Sequence, residues 1–214
     1  MNVSRFIQYI ASGTAYTVAV SLISLPLGLI LGLIFSLLYV YGGKILERLM
    51  SIYSSVMRGI PPIVLLFILY FVVSGSINLS PFWAGSISLG IVSSAYQMEI
   101  VRGALLSVSG GQMVAARAIG MSKLQAIRYV IIPQAFRLAI PPWSNEAAIV
   151  IKDSSLVYAL GVPEILRRAQ LISASSRQPF LAFITAGLIY FLLVFLTNRL
   201  LDGLEKRVRL PAHP

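Results

Sequence analysis

The chain has no cysteine, and its single histidine, His213, is the next-to-last of 214 residues. The missing thiols exclude disulfides and thiolate metal sites and leave the redox compartment unread. A lone histidine in the tail leaves none for acid–base or metal chemistry within the apolar segments. Acidic residues are scarce, seven against seventeen Lys and Arg. There is no Gly-x-x-x-x-Gly-Lys-Ser/Thr either: "YGGKI" offers Gly43 and Lys44, but Leu38 and Ile45 stand at the other required positions. Without that phosphate-cradling loop, no ATP chemistry is expected in this chain, and none of its many serines has a recognisable base partner. It is not expected to be an enzyme and carries no cofactor or metal site of its own.

Charge of either sign is absent over long stretches. Phe6 to Gly43 is a run of 38 uncharged residues, Gly59 to Met98 a run of 40, and Pro179 to Asn198 a third. Apolar residues make up 57% of the chain and charged ones 11%; the mean hydropathy is +0.86. A bilayer-spanning helix needs about 20 such residues, so this composition predicts an all-α integral membrane protein, a single domain over residues 1–214. Five spanning helices are expected: Thr14–Val40, Ser51–Val73, Phe82–Leu106, Ala135–Ile151 and Phe180–Leu201. Pro26 is tolerable inside a packed membrane helix. The first run is too long for a signal-peptide core and lacks a small-residue cleavage site, so it is expected to be retained.

The basic residues orient these helices. With the N-terminus outside, the cytoplasmic side holds Lys44, Arg48, Arg58, Arg102, Arg117, Lys123, Arg128, Arg137, Arg199, Lys206, Arg207 and Arg209. The outer side then holds only Arg5, Lys152, Arg167, Arg168 and Arg177. Positive charge concentrates on the cytoplasmic side of membrane proteins, so the N-terminus is expected outside and the C-terminus inside. The net charge of +10 is topology on this reading, not a nucleic-acid-binding face.

One segment departs from the apolar background. "VAARAIGMSKLQAIRYVIIP", Val114 to Pro133, carries three basic residues and is finely punctuated. Gly120 follows a helical run where a left-handed C-terminal cap favours glycine. Ser122 offers an N-cap, and Gln125 completes a capping box. Pro133 is expected to end the second helix. Two short helices joined at Gly120 make a knob on the cytoplasmic side, between helices three and four, over about 109–133. Spacing alone equally allows an ordinary amphipathic surface loop.

This segment resembles the cytoplasmic signature loop of ABC importer permeases: Glu-Ala-Ala, three residues, Gly, nine residues, then Ile-x-Leu-Pro. Ala115, Ala116, Gly120 and Pro133 stand at matching spacings, with Val130 and Ile132 as apolar replacements, while Val114 replaces the glutamate. "MRGIPPIVLLFILYF" (Met57 to Phe71), "SSAYQMEIVRGAL" (Ser93 to Leu105) and "IPPWSNEAAIVIKDSSLVYALGVPEILRRAQ" (Ile140 to Gln170) resemble the polar amino-acid uptake subfamily. The resemblance covers most of the chain from Ser12 to Arg207. It implies a prokaryotic cell membrane, a second permease subunit alongside, two cytoplasmic ATPase subunits carrying ATP and Mg, and an extracytoplasmic solute-binding protein. No loop extension marks a specialised partner, which favours a homodimer. Coupling to the ATPase falls on Ala115, Ala116, Arg117, Gly120, Met121 and Ser122. A secondary transporter or channel working without an ATPase is the alternative, although 214 residues leave little room for inverted repeats.

Substrate chemistry belongs with the charges inside the membrane, which are costly there. Glu146 and Asp153 are two helical turns apart and share a face. A carboxylate replaces the hydration of an ammonium group, so the pair suits a cationic amino acid such as arginine, lysine or histidine, and the resemblance places functional acids at both positions. Lys152 can alternatively balance Asp153. Tyr96 and Trp143, with Val92, are expected to line the path or to serve as core aromatics. Glu99 and Arg102, three residues apart, can pair with each other. Glu164, Arg167 and Arg168 are expected in a short external helix that touches the binding protein.

Overall fold

A computed structural model describes residues 3–76 and 78–208; His213 and Arg209 lie outside the described residues. Ten α-helices occur among these residues, and no strand. A short α1 (Val3–Ala11), absent from the sequence-based expectation, precedes the long α2 (Thr14–Tyr41). The expected second helix is broken. It forms α3 (Lys44–Gly59) and α4 (Pro62–Ser76), bent by 111°. Pro61 and Pro62 supply the reason. Neither has an N–H for the helical ladder, and the residue before a proline is driven to extended backbone, as Ile60 is at φ −102°, ψ 137°.

The central helix is α5 (Pro81–Ser107), which packs against α2, α3, α4 and the later α8 (Ile132–Asp153). Fifteen of its 27 residues are buried. This is why it tolerates serines, Gln97 and a glutamate: protein covers them, not lipid. Its closest neighbour is α2, whose buried face repeats every three or four residues through Thr17, Ser21, Ser24, Gly28, Gly32 and Ser36. Small residues let backbones approach where lipid supplies no hydrophobic drive. A methyl group at Gly32 would lie 2.8 Å from the Met98 backbone nitrogen. Ser24 Oγ donates across the seam to the Ser86 carbonyl at 2.8 Å.

After α5 the chain forms α6 (Gly110–Ala118) and the four-residue α7 (Lys123–Ala126). Contrary to expectation, the second short helix does not stop at Pro133. It widens into a π-helical turn, Ile127–Ile131, and continues as α8 with Pro133 in its first turn. The wider turn relieves the ladder where Pro133 brings a ring and no donor. A 3-10 segment, Ser154–Leu160, leads through Gly161 (φ 88°) to α9 (Ile165–Ser176), and α10 (Pro179–Val208) ends the described chain. Phe6 and Ile10 of α1, Ile165, Ala169 and Ile172 of α9, and Ala182 and Ala186 of α10 form an apolar cluster.

Among the described residues, length and composition alone mark two membrane-crossing helices, α2 extended by α1 and α10, or three with the bent α3–α4 pair. The shortfall lies with α5 and α8, which carry buried polar residues such as Ser93, Gln97, Ser144 and Glu146.

Candidate functional site

Successive turns of α5 place Leu89, Val92, Ser93 and Tyr96 on one face. Opposite them, α8 presents Glu146, Ile149, Val150 and Asp153. These eight residues line a cavity of about 100 Å³. Four of the five residues singled out in the sequence, Val92, Tyr96, Glu146 and Asp153, therefore meet at one place. Glu146 is 4% exposed, and its Oε1 accepts a hydrogen bond from Ser93 Oγ at 2.8 Å. Asp153 lies at the far end of the same face, partly exposed, and forms no ion pair with Lys152, whose side chain is exposed. Trp143, one turn before Glu146, does not line this cavity. Its indole N–H donates to Gln97 Oε1 at 2.8 Å.

Ser93 and Gln97 escaped the sequence reading, because a serine or a glutamine in an apolar helix announces no partner. The only signal available was their helical spacing with Leu89 and Tyr96.

A second polar cluster joins α3 to α5. Arg102 Nε donates to Glu99 Oε2 at 2.9 Å, so the expected pair forms. The sequence did not indicate its remaining members: Ser54 Oγ donates to Glu99 Oε1 at 2.7 Å, and Arg58 Nη2 lies 3.7 Å from the same oxygen. The Arg102 guanidinium also sits 5.0 Å from the Tyr39 ring centroid. One carboxylate thus ties three helices together at one end of the bundle.

At that same end stands the knob. Gly120 has φ +90°. Its N–H reaches the Arg117 carbonyl, and the Met121 N–H reaches that of Ala116, both at 3.1 Å. These are the two bonds of a Schellman cap. The Ser122 hydroxyl accepts from the Gln125 N–H at 3.2 Å, while the Ser122 N–H donates to Gln125 Oε1 at 2.7 Å. Ala116, Ala126 and Ile127 root the knob in the core, and the Lys123 ammonium lies 5.7 Å from the Tyr41 ring at the end of α2. Its outer face carries Val114, Ile119 and Leu124, 69%, 76% and 73% exposed. Arg117, Ala115 and Ser122 are exposed beside them.

The opposite end corrects one expectation. Glu164 is fully buried and cannot reach a binding protein. It caps α9, accepting from the backbone N–H groups of Leu166 and Arg167 and from the Tyr190 hydroxyl. Burial holds its carboxyl above the ordinary carboxylate range, with those three donors pulling the other way. Arg168 is half-buried, its Nε donating to the Pro163 carbonyl at 3.0 Å and its guanidinium lying 5.2 Å from the Tyr9 ring.

Comparison with known proteins bears directly on this all-helical bundle with its buried carboxylate and structured knob. Residues 24–210 match the family described as binding-protein-dependent transport system inner membrane component. The chain belongs to that family. The octopine transport system permease protein of Rhizobium radiobacter is 34% identical over 207 residues, covering 91% of this chain and 87% of the relative. The L-cystine transport system permease protein of Bacillus subtilis is 36% identical over 205 residues, with coverage of 95% and 88%. The glutamine transport system permease protein of Escherichia coli is 33% identical over 207 residues, with coverage of 95% and 94%. Among solved structures, a chain of an amino acid ABC transporter with histidines superposes with a TM-score of 0.84 at 32% identity, covering 97% of this chain and all of the other. This is therefore a permease component of a binding-protein-dependent transport system, a membrane protein.

Proposed function

We propose that this chain is a permease subunit of an ATP-driven importer of polar amino acids, with cationic amino acids preferred. The observation that carries the reading is the pair of carboxylates, Glu146 and Asp153, on one face of α8 around the cavity with Tyr96 and Val92. One carboxylate answers the α-ammonium common to all amino acids. The second answers a cationic side chain, which loses its hydration in such a place. The names of the relatives, for glutamine, L-cystine and octopine, and of the structure with histidines, support a solute of this class. The cavity holds about 100 Å³, room for roughly three waters, so a whole amino acid enters only when α5 and α8 part. That requirement is what alternating access driven by an ATPase supplies.

In this reading α2, the bent α3–α4 pair, α5, α8 and α10 are the five spans. The N-terminus and the α1–α9 cluster face outward, and the knob and C-terminus face the cytoplasm, as the basic residues favour. The knob docks on an ATPase subunit that carries ATP and Mg, through Ala115, Arg117, Gly120, Met121 and Ser122; Ala116, expected among them from the sequence, is buried and supports the knob from beneath. A solute-binding protein delivers substrate outside, and a second copy of the chain completes the membrane unit.

The test is uptake by the complex reconstituted in proteoliposomes. A hydrogen-bonded charge pair contributes about 1.5–3 kcal/mol, so Glu146→Gln and Asp153→Asn should each raise the KM for L-arginine by roughly 10- to 150-fold. Uptake of L-glutamine should change less in Glu146→Gln, the acid read as facing the cationic side chain, whereas Asp153→Asn, which loses the α-ammonium contact, should affect both substrates. Normal rate and selectivity in both variants would make the acids structural and remove the substrate assignment.

A further inference from the structure

The cavity is one end of a longer polar construction. Two polar layers cross-link α5 and α8, Ser93 with Glu146 and Gln97 with Trp143. Apolar layers flank them, Leu89 and Val150 on one side and Val101 and Ala139 on the other. Gln97 is fully buried and its amide has three partners. Nε2 donates to Ser93 Oγ at 3.0 Å and to the Leu25 carbonyl of α2 at 3.2 Å, while Oε1 accepts from Trp143. Gly28 leaves the space for this: a methyl group there would stand 2.4 Å from Gln97 Nε2.

The sense of this chain follows from donor chemistry. An indole nitrogen only donates, so Trp143 requires the amide oxygen of Gln97 to face it. The amide NH2 must then face Ser93 and Leu25. The Ser93 hydroxyl, already accepting from Nε2, directs its single proton to Glu146 Oε1. Were the amide reversed, the serine would donate to Gln97 and Glu146 would lose its donor.

We infer that Trp143, Gln97 and Ser93 are positioning residues that present Glu146 to the cavity as a hydrogen-bonded, fixed acceptor, and that Trp143 sets the direction of the whole chain. The inference rests on Glu146 being the counter-charge for a cationic solute. Its consequence is that selectivity for cationic over neutral amino acids depends on a tryptophan that does not line the cavity.

The experiment measures ATP-driven uptake of L-arginine and L-glutamine by the complete complex in proteoliposomes, for Trp143→Phe, Ser93→Ala and each combined with Glu146→Gln. Trp143→Phe keeps the ring and removes the donor. It should raise the KM for L-arginine about tenfold, the scale of a hydrogen bond to a charged group, with kcat and the KM for L-glutamine little changed. Ser93→Ala should do the same, and Trp143→Phe should add nothing to it, because the chain is already broken. Neither change should add to the defect of Glu146→Gln. An unchanged KM in both single variants of an assembled complex would overturn the inference, as would a further KM rise when Trp143→Phe joins Glu146→Gln. A loss of kcat alone would equally refute it. If Trp143→Phe fails to assemble, Ser93→Ala decides the matter. If Glu146→Gln itself is silent, the substrate reading fails first, which separates the two outcomes.

Discussion

Replacing Gly120 with valine tests how the knob works. Gly120 holds φ +90° between α6 and the Ser122 cap, and a methyl group built there meets nothing within 4 Å. The cost of a side chain is therefore conformational, not steric. A β-branched residue held in that region costs about 1–3 kcal/mol, against about 1 kcal/mol contributed by a helix cap such as that at Ser122. The turn's population should fall by roughly 5- to 150-fold. The transmembrane bundle does not depend on this turn, so Gly120→Val should insert and purify normally. It should nevertheless lose the ATPase subunit on purification, or hydrolyse ATP without uptake. Gly120→Asn, which tolerates the left-handed region, should retain most activity. Normal transport by the valine variant would refute the docking role. Equal loss with asparagine would refute the conformational reasoning and point to a partner surface too close for any side chain.

Three further outcomes follow from the packing. Gly32→Ala places a methyl group 2.8 Å from the Met98 nitrogen; overpacking of this kind costs about 1–3 kcal/mol, and thermal unfolding in detergent should fall accordingly, whereas an unchanged midpoint would mean that α2 and α5 are not in close contact. Tyr190→Phe removes one donor from buried Glu164 and should destabilise by about 1.5–3 kcal/mol, with Glu164→Ala worse because the α9 cap goes too; equal midpoints for both variants and the parent would dismiss the junction. Single cysteines at Ser4 and Ser122, in a chain without cysteine, should react with a membrane-impermeant thiol reagent in intact cells at Ser4 only, and the reverse pattern would invert the topology.

The long helices were legible because each depends on its own neighbours. Charge-free runs near Thr14, Pro81 and Pro179 predicted α2, α5 and α10 to within a few residues of their ends, apart from the longer C-terminal end of α10. The Schellman cap at Gly120 and the capping box at Ser122 were legible for the same reason, since every bond in them spans five residues or fewer. The common face of Glu146 and Asp153 was legible as helical geometry. Local rules failed where two of them competed. Pro61 and Pro62 lie within the single helix expected over Ser51–Val73, yet as a pair they break it; Pro133 read as a stop, yet a π-turn carries the helix through.

Tertiary structure alone decided what each polar side chain meets. Glu164 looks like a surface acid beside two arginines, but packing of α1, α9 and α10 buries it and gives it Tyr190, 26 residues away, as partner. Ser93 and Gln97 look like incidental polar residues until α8 brings Glu146 and Trp143 across from 53 and 46 residues away. A helix's periodicity determines which residues share a face. Which face lies against which neighbour is settled by the shape of the whole bundle, here by the small residues of α2 that let α5 approach. The hydrogen-bond chain that aims at Glu146 exists only once those helices have met.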